Sequence, residues 1–283
     1  MKVFVLAPRE DWICDRLVKE WYDNFPKEST SNILEADVIW LLAGWCWNHV
    51  HPKLLEDKKV IVTEHHIVPE KFTNVAYSEF MQRDQYVNAY HVPNEKTKKF
   101  IEKLTNKPIC VIPYWLNDKF WQPIDLKNSR EMLNIDIEDF CVGSFQRDTE
   151  GHDLISPKLE KGPDILCDYI EKRNLRILLG GWRRQYVIKR LEAKNIKYTL
   201  FEKSSIEDIK LLYACCNLYV VSSRHEGGPQ AIIEAAAMKI PIVSTDVGMA
   251  SMVLSDNCIS ELNNFYIPSD EIDLNYRNVQ KLS

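Results

Sequence analysis

The sequence predicts an α/β protein built from two Rossmann-like halves. Short β-branched or apolar runs recur along the 283 residues, and they are near-continuous rather than alternating. That is the pattern of parallel strands covered on both faces. Longer helical patterns separate the runs, which chains them into βαβ units. The whole arrangement occurs twice, on either side of "PYWLNDKFWQPIDLKN" (113–128), a stretch with two prolines and no clear period.

In chain order the first set of strands is expected at "KVFVLA" (2–7), "DVIWLLA" (37–43), "KVIVTE" (59–64), "YVNAYHV" (86–92) and "PICVIP" (108–113). The second set is expected at "FCVGSF" (140–145), "LRILLGG" (175–181), "YTLFE" (198–202), "LYVVSS" (218–223) and "PIVST" (241–245), with "FYI" (265–267) as a further candidate. The domains are therefore 1–115, a linker at 116–128, and 129–283. A sheet wound in this way takes its ligands at the carboxyl ends of its strands.

Composition narrows the function. Lys and Arg total 36 against 41 Asp and Glu, a formal charge of −5. A nucleic-acid binder would show a basic face instead. "KTKK" (96–99) sits in a helical pattern and reads as a solvated face. No apolar run approaches the ~20 residues of a membrane helix, and "MKVFVLAP" reads as a first strand rather than a leader. The eight cysteines include no C-x-x-C pair and no zinc-like spacing with His. They read as reduced and mostly packed, which points to the cytoplasm.

The stretch that carries chemistry is "SSRHEGGPQAIIEAAAMKIPIVSTD" (222–246). A strand leads in, "RHEGG" turns, and a helix follows with Pro229 suited to its first position. The start of a helix offers unpaired amides and about half a positive charge, so it attracts anions. Gly227 and Gly228 let a ligand approach the backbone. Glu234 lies roughly 7–8 Å further along the helix, about the distance from a diphosphate to the ribose of the same nucleotide. A carboxylate there suits paired ribose hydroxyls, while Glu226 precedes the turn and faces the other end of the diphosphate.

"EGGPQAIIEA" (226–235) resembles the E-x7-E element of the retaining GT-B glycosyltransferases, the glycosyl transferases group 1 that include sucrose synthase and many bacterial mannosyltransferases. "VIPYWLNDKFWQP" (111–123) is similar to that group's inter-domain signature, and "VGSFQRDTEG…LEKGPDIL" (142–166) to its first C-terminal strand with an Arg and a Lys-Gly. The resemblance implies a GT-B fold, two Rossmann-like domains with parallel sheets facing across a cleft. It implies a nucleotide-diphosphate sugar as co-substrate, with no cofactor and no metal, and transfer to a hydroxyl of a glycan, lipid or small acceptor with retention of configuration. Peripheral membrane contact stays open, because relatives use lipid acceptors and no basic amphipathic helix is visible here.

By the same resemblance Glu234 binds the ribose, Glu226 the donor sugar, and the amides of Gln230 and Ala231, after Gly228 and Pro229, the distal phosphate. Lys161 and Arg147 pair with the diphosphate. Fourteen positions separate these two, where the family has five or six, so Arg183 or Arg184 after "LLGG" is an alternative partner. The N-terminal half would bind the acceptor, and His65 or His66 at the end of "VIVTE" would touch the donor sugar. Trp45 or Trp47 is placed to stack on an acceptor sugar. Two other classes fit the sequence: a sugar-nucleotide epimerase of the same fold, and a binding module that keeps the nucleotide pocket without turnover. A nicotinamide dehydrogenase does not fit, since no G-x-G-x-x-G follows a strand.

Overall fold

The computed structural model describes residues 1–283 apart from Trp12 and Lys203, and divides into two compact units, Met1–Tyr114 and Trp115–Ser283. In the N-terminal unit the strands are β1 (Val3–Val5), β2 (Val38–Leu41), β3 (Lys59–Thr63), β4 (Ala89–Val92) and β5 (Ile109–Val111). Its helices are α1 (Ile13–Asn24), α2 (Pro52–Asp57), α3 (Asn74–Asp84) and α4 (Glu95–Ile101). All strand pairs are parallel and their order is β1-β2-β3-β4-β5, so each strand lies beside the next one in the chain. A sheet wound in one direction has no point where its strand order reverses. The core is the apolar sheet surface of Ile39, Leu41, Val60, Val62, Tyr90 and Val92, closed by Leu55, Phe80 and Ile101 from the helices.

The C-terminal unit carries β6 (Cys141–Phe145), β7 (Arg176–Gly180), β8 (Tyr198–Phe201), β9 (Leu218–Val221) and β10 (Ile242–Ser244). Its helices are α5 (Leu126–Met132), α6 (Pro163–Glu171), α7 (Gln185–Ala193), α8 (Ile206–Ala214), α9 (Gln230–Ala237), α10 (Ala250–Val253) and α11 (Ile272–Gln280). The sheet is again parallel, in the order β10-β9-β6-β7-β8. From β6 the chain winds outward through β7 and β8, then crosses back to place β9 on the other side of β6. β6 and β9 are thus the neighbours at which the strand order reverses, and sheets of this kind take their ligands at the carboxyl ends of such a pair. Val142, Ile177, Leu179, Leu218 and Val220 pack against Leu166, Ile170, Val187 and Leu191 to form the core.

Local sequence accounts for the helix starts. Asp125 caps α5 by accepting the Asn128 amide, and Ser205 with Asp208 forms a reciprocal capping box on α8. Two expectations need correction. Residues 265–267 are not a strand: Phe265 instead sets its ring against Phe140 and Tyr169, and the neighbour that bridges β10 at Ser244 is Ile259. Pro229 is the residue before α9 rather than its first, with φ −62° and ψ 108°. Segment 116–128 lies wholly in the C-terminal unit: Trp121 is 1% exposed against Tyr213, and the Leu116 amide bonds the Leu282 carbonyl at 2.9 Å. Seven of the eight cysteines are buried and all are free thiols. Among the described residues no helix is long and apolar enough to cross a membrane.

Candidate functional site

The site grows from the two loops that part at β6 and β9. The turn after β9 is fastened to the segment after β6 by backbone and side chain together. The amides of Arg224 and His225 both bond the Glu160 carbonyl, at 2.8 and 3.0 Å. The Arg224 guanidinium grips Asp164 with two nitrogens, at 2.7 and 2.6 Å, and also reaches the Leu159 carbonyl. Gly162 makes this closeness possible. Its φ is +59°, and a Cβ there would lie 1.8 Å from the Ser222 carbonyl oxygen. Gly248 does the same on the far side, with φ +55° and a would-be Cβ 2.4 Å from the Gly227 carbonyl oxygen. The glycines with left-handed backbone are thus Gly162 and Gly248, together with Gly151 and Gly181, and not the Gly227–Gly228 pair.

Where the loops meet, Lys161 Nζ donates to Glu226 Oε1 at 2.5 Å, and Ser223 Oγ donates to the same oxygen at 3.0 Å. Gln146 braces the pair: its Nε2 donates to the Lys161 carbonyl at 2.9 Å, and its Oε1 lies 3.3 Å from Ser223 Oγ, whose one proton it can share with Glu226. The Lys161 and Glu226 side chains are 18% and 11% exposed, so the pair is only partly screened by water. Arg147, at the end of β6, lays its guanidinium 4.9 Å from the ring centre of Trp182 and donates through Nε to the Thr149 carbonyl.

The segment between Arg147 and Lys161 folds as a hairpin. Thr149 and Pro157 form an antiparallel bridge, the Glu150 amide bonds the Ser156 carbonyl, and the Lys158 amide bonds the Asp148 carbonyl at 2.8 Å. At its tip Asp153 accepts from the Ile155 and Ser156 amides and the Ser156 hydroxyl, which hold its carboxyl below the usual carboxylate range. The excursion therefore closes on itself, and Lys158 stands at its exit.

Glu234 is the fifth residue of α9 and is 5% exposed. Tyr213 Oη, from α8, donates to its Oε2 at 2.9 Å. Burial first, and the Glu234 carboxylate second, push the Tyr213 phenol well above its ordinary range, so it is a donor at all working pH. Gln230 and Ala231 are the first two residues of α9, where amides lack intrahelical acceptors.

The alternative cations separate cleanly. Arg184 is wholly buried: its guanidinium pairs with buried Asp148 and donates to the Ser144 and Gly180 carbonyls, tying the ends of β6 and β7 together. Arg183 has φ +57° and stands 5.2 Å from the Trp182 ring centre.

In the N-terminal unit His65 is held at both ring nitrogens. Nε2 lies 2.7 Å from the Leu42 carbonyl, which fixes the proton there, and Nδ1 accepts from Tyr114 Oη. Cys14 Sγ is 3.7 Å from the same Nε2. Neither nitrogen is open to a ligand without giving up one of these bonds, which makes His65 a brace rather than an open contact. His66, next to it, is half-buried. Glu64 pairs with Arg83, yet burial dominates and raises its carboxyl above the usual range. Trp45 is half exposed and its indole nitrogen donates to Glu10, whereas Trp47 packs on the core beside Tyr86. Among the described residues no three His, Cys, Asp or Glu side chains gather as metal ligands would.

The sequence pointed to Lys161, Glu226 and Glu234, and these lie on the two loops and the helix described. It did not point to Tyr213, Gly248 or Lys158. Of these, Lys158 alone carried a local signal, being one helical turn ahead of the Lys-Gly pair.

Comparison with known proteins follows from this geometry. Residues 140–281, half of the chain, match the family described as Glycosyl transferases group 1. No curated protein gives a sequence match. Among solved structures, HepE of Anabaena, in complex with UDP and glucose, aligns at TM-score 0.78 and 12% identity, over 100% of this chain and 94% of its own. Sucrose-phosphate synthase from Thermosynechococcus elongatus aligns at 0.66 and 15% identity, over 98% and 76%. A glycosyltransferase from Rickettsia africae aligns at 0.63 and 16% identity, over 99% and 91%. At such identities the likeness is one of fold, and that fold is GT-B.

Proposed function

The chain belongs to the glycosyl transferases of group 1, and from that premise we propose that it moves a hexosyl group from a nucleoside diphosphate sugar to an acceptor hydroxyl, with retention of configuration and without a metal ion. The observation that carries this reading is the Lys161–Glu226 contact at 2.5 Å, made where β6 and β9 part and four residues ahead of α9. Along the chain Glu226, the start of α9 and Glu234 follow one another in the order sugar, diphosphate and ribose of such a donor.

In this reading Lys161, Arg147 and the amides of Gln230 and Ala231 hold the diphosphate. Lys161 turns from Glu226 to the phosphate as the donor enters, and Glu226 turns to the sugar hydroxyls. Glu234, steadied by Tyr213, accepts the ribose hydroxyls. The bond from the anomeric carbon to the phosphate oxygen breaks, and its electron pair leaves with the diphosphate. The acceptor oxygen bonds the same face of that carbon, and its proton passes to the departing phosphate oxygen. Fixed cations and amides at the site of growing charge are the usual large contribution to such a step. His65, His66 and Trp45 belong to the N-terminal unit, which would bind the acceptor. The domains would thus be an acceptor unit and a donor unit, working in the cytoplasm.

HepE has been solved with UDP and with UDP-glucose, so uridine donors are the first to test. Purified protein is incubated with UDP-, GDP- and ADP-sugars and a panel of glycan, lipid and small acceptors, with and without EDTA. The anomeric configuration of the product is read by NMR. Glu226→Gln and Lys161→Met should each reduce transfer at least about a hundredfold while the protein stays folded by circular dichroism, since each removes a charge aimed at the reacting groups. Wild-type transfer by either variant would refute the assignment. Epimerised donor without acceptor would instead identify an epimerase.

A further inference from the structure

Three cations, not two, converge on the loops after β6 and β9. Lys158 leaves the hairpin just before the short 3-10 turn Leu159–Lys161, and its carbonyl accepts the Lys161 amide at 2.8 Å. Lys158 is the residue that leads into this turn, three positions ahead of Lys161. On the hairpin stem Lys158 stands across from Asp148, the neighbour of Arg147. Its side chain is 25% exposed, and its ammonium is 3.7 Å from Glu160 Oε1. Burial first, then Lys161 and Arg147, make the Lys158 ammonium easier to deprotonate, while Glu160 and Glu226 oppose them.

A half-buried ammonium beside two other cations is unfavourable until an anion arrives. Glu160 offsets part of that cost at a distance too long for a good hydrogen bond. The hairpin closes so as to set this lysine beside the segment that carries Lys161, where a polyanionic ligand would balance the gathered positive charge. We propose that Lys158 is a third cationic ligand of the donor's diphosphate, delivered by the hairpin between Arg147 and Lys161. This deepens the reading above and rests on it.

The test is calorimetric titration of the full chain with UDP, GDP and ADP, then with the monophosphate and nucleoside of whichever base binds best. Lys158→Met should weaken the diphosphate at least about tenfold, as loss of a charge-assisted contact does. It should weaken the monophosphate less and leave the nucleoside unchanged. Lys158→Arg should keep most of the diphosphate affinity. If wild type binds a nucleoside diphosphate and Lys158→Met binds it equally well, the inference is overturned and the proposed function stands. Equal weakening of diphosphate and nucleoside also overturns it, because that is the mark of a disturbed fold. If wild type binds none of the three diphosphates, the proposed function falls and Lys158 falls with it.

Discussion

Substituting Gly162 by alanine tests whether the close approach of two loops builds the site. The backbone at Gly162 is left-handed, with φ +59°, and a non-glycine residue there costs about 1–2 kcal/mol. The new Cβ would lie 1.8 Å from the Ser222 carbonyl oxygen, when real Cβ contacts stay at 3.0 Å or more, so the strands must part by about 1.2 Å. No side chain can rotate away, because both sides are backbone. The bonds from the Arg224 and His225 amides to the Glu160 carbonyl cross this same gap, and each contributes about 0.5–1.5 kcal/mol. Together the loss is about 2–5 kcal/mol, or a fall in melting temperature of roughly 4–20 °C. Gly151→Ala is the control. Its φ of +77° carries the backbone penalty, but its Cβ would come no closer than 3.0 Å, to an Asp153 carboxylate oxygen, so it should cost about 1–2 kcal/mol. Calorimetry of the three proteins separates strain from collision. If Gly162→Ala melts no lower than Gly151→Ala, the account of the loop junction is wrong.

Tyr213→Phe leaves the buried Glu234 carboxylate short of one donor and should lower stability by about 1–3 kcal/mol, read as a shift in urea midpoint; an unchanged midpoint would remove Tyr213 from the site. Arg224 holds the Asp164 carboxyl below its ordinary value through their hydrogen bonds. A carboxyl whose folded pKa is depressed adds stability above its unfolded pKa, near 4, and that stability is lost as pH falls through the folded value. Arg224→Met should therefore make stability fall less steeply on acidification below about pH 4, and a parallel acid limb in both proteins would contradict the assignment.

Much of this molecule could be read from its sequence because the signals were local. Continuous apolar runs such as "LYVVSS" mark buried parallel strands whatever they pair with, and a Pro three residues ahead of a run like "IIEAAA" marks a helix start. What could not be read depends on partners far along the chain. Arg184 looks like an alternative cation for the diphosphate until Asp148, 36 residues earlier, takes it into the interior. His65 looks like an open contact until Leu42 and Tyr114 occupy its ring. The Gly227–Gly228 pair draws the eye, but the glycines that the backbone requires are Gly162 and Gly248, each fixed by a carbonyl more than twenty residues away. Residues 265–267 read as a strand because three apolar residues suit an edge as well as an aromatic cluster, and Phe140 and Tyr169 decide for the cluster.

The strand orders of the two sheets also set their order of assembly on the ribosome. In β1 to β5 every pairing joins neighbours in the chain, so that sheet can grow strand by strand as each emerges. β6 finds β7 soon after, but its other flank is filled by β9, whose first residue is Leu218. Until then it presents a bare row of amides and carbonyls, the kind of edge that invites pairing with a foreign chain. The same late insertion that brings the loops after β6 and β9 together leaves the nascent second domain with an open edge until residue 218 has been made.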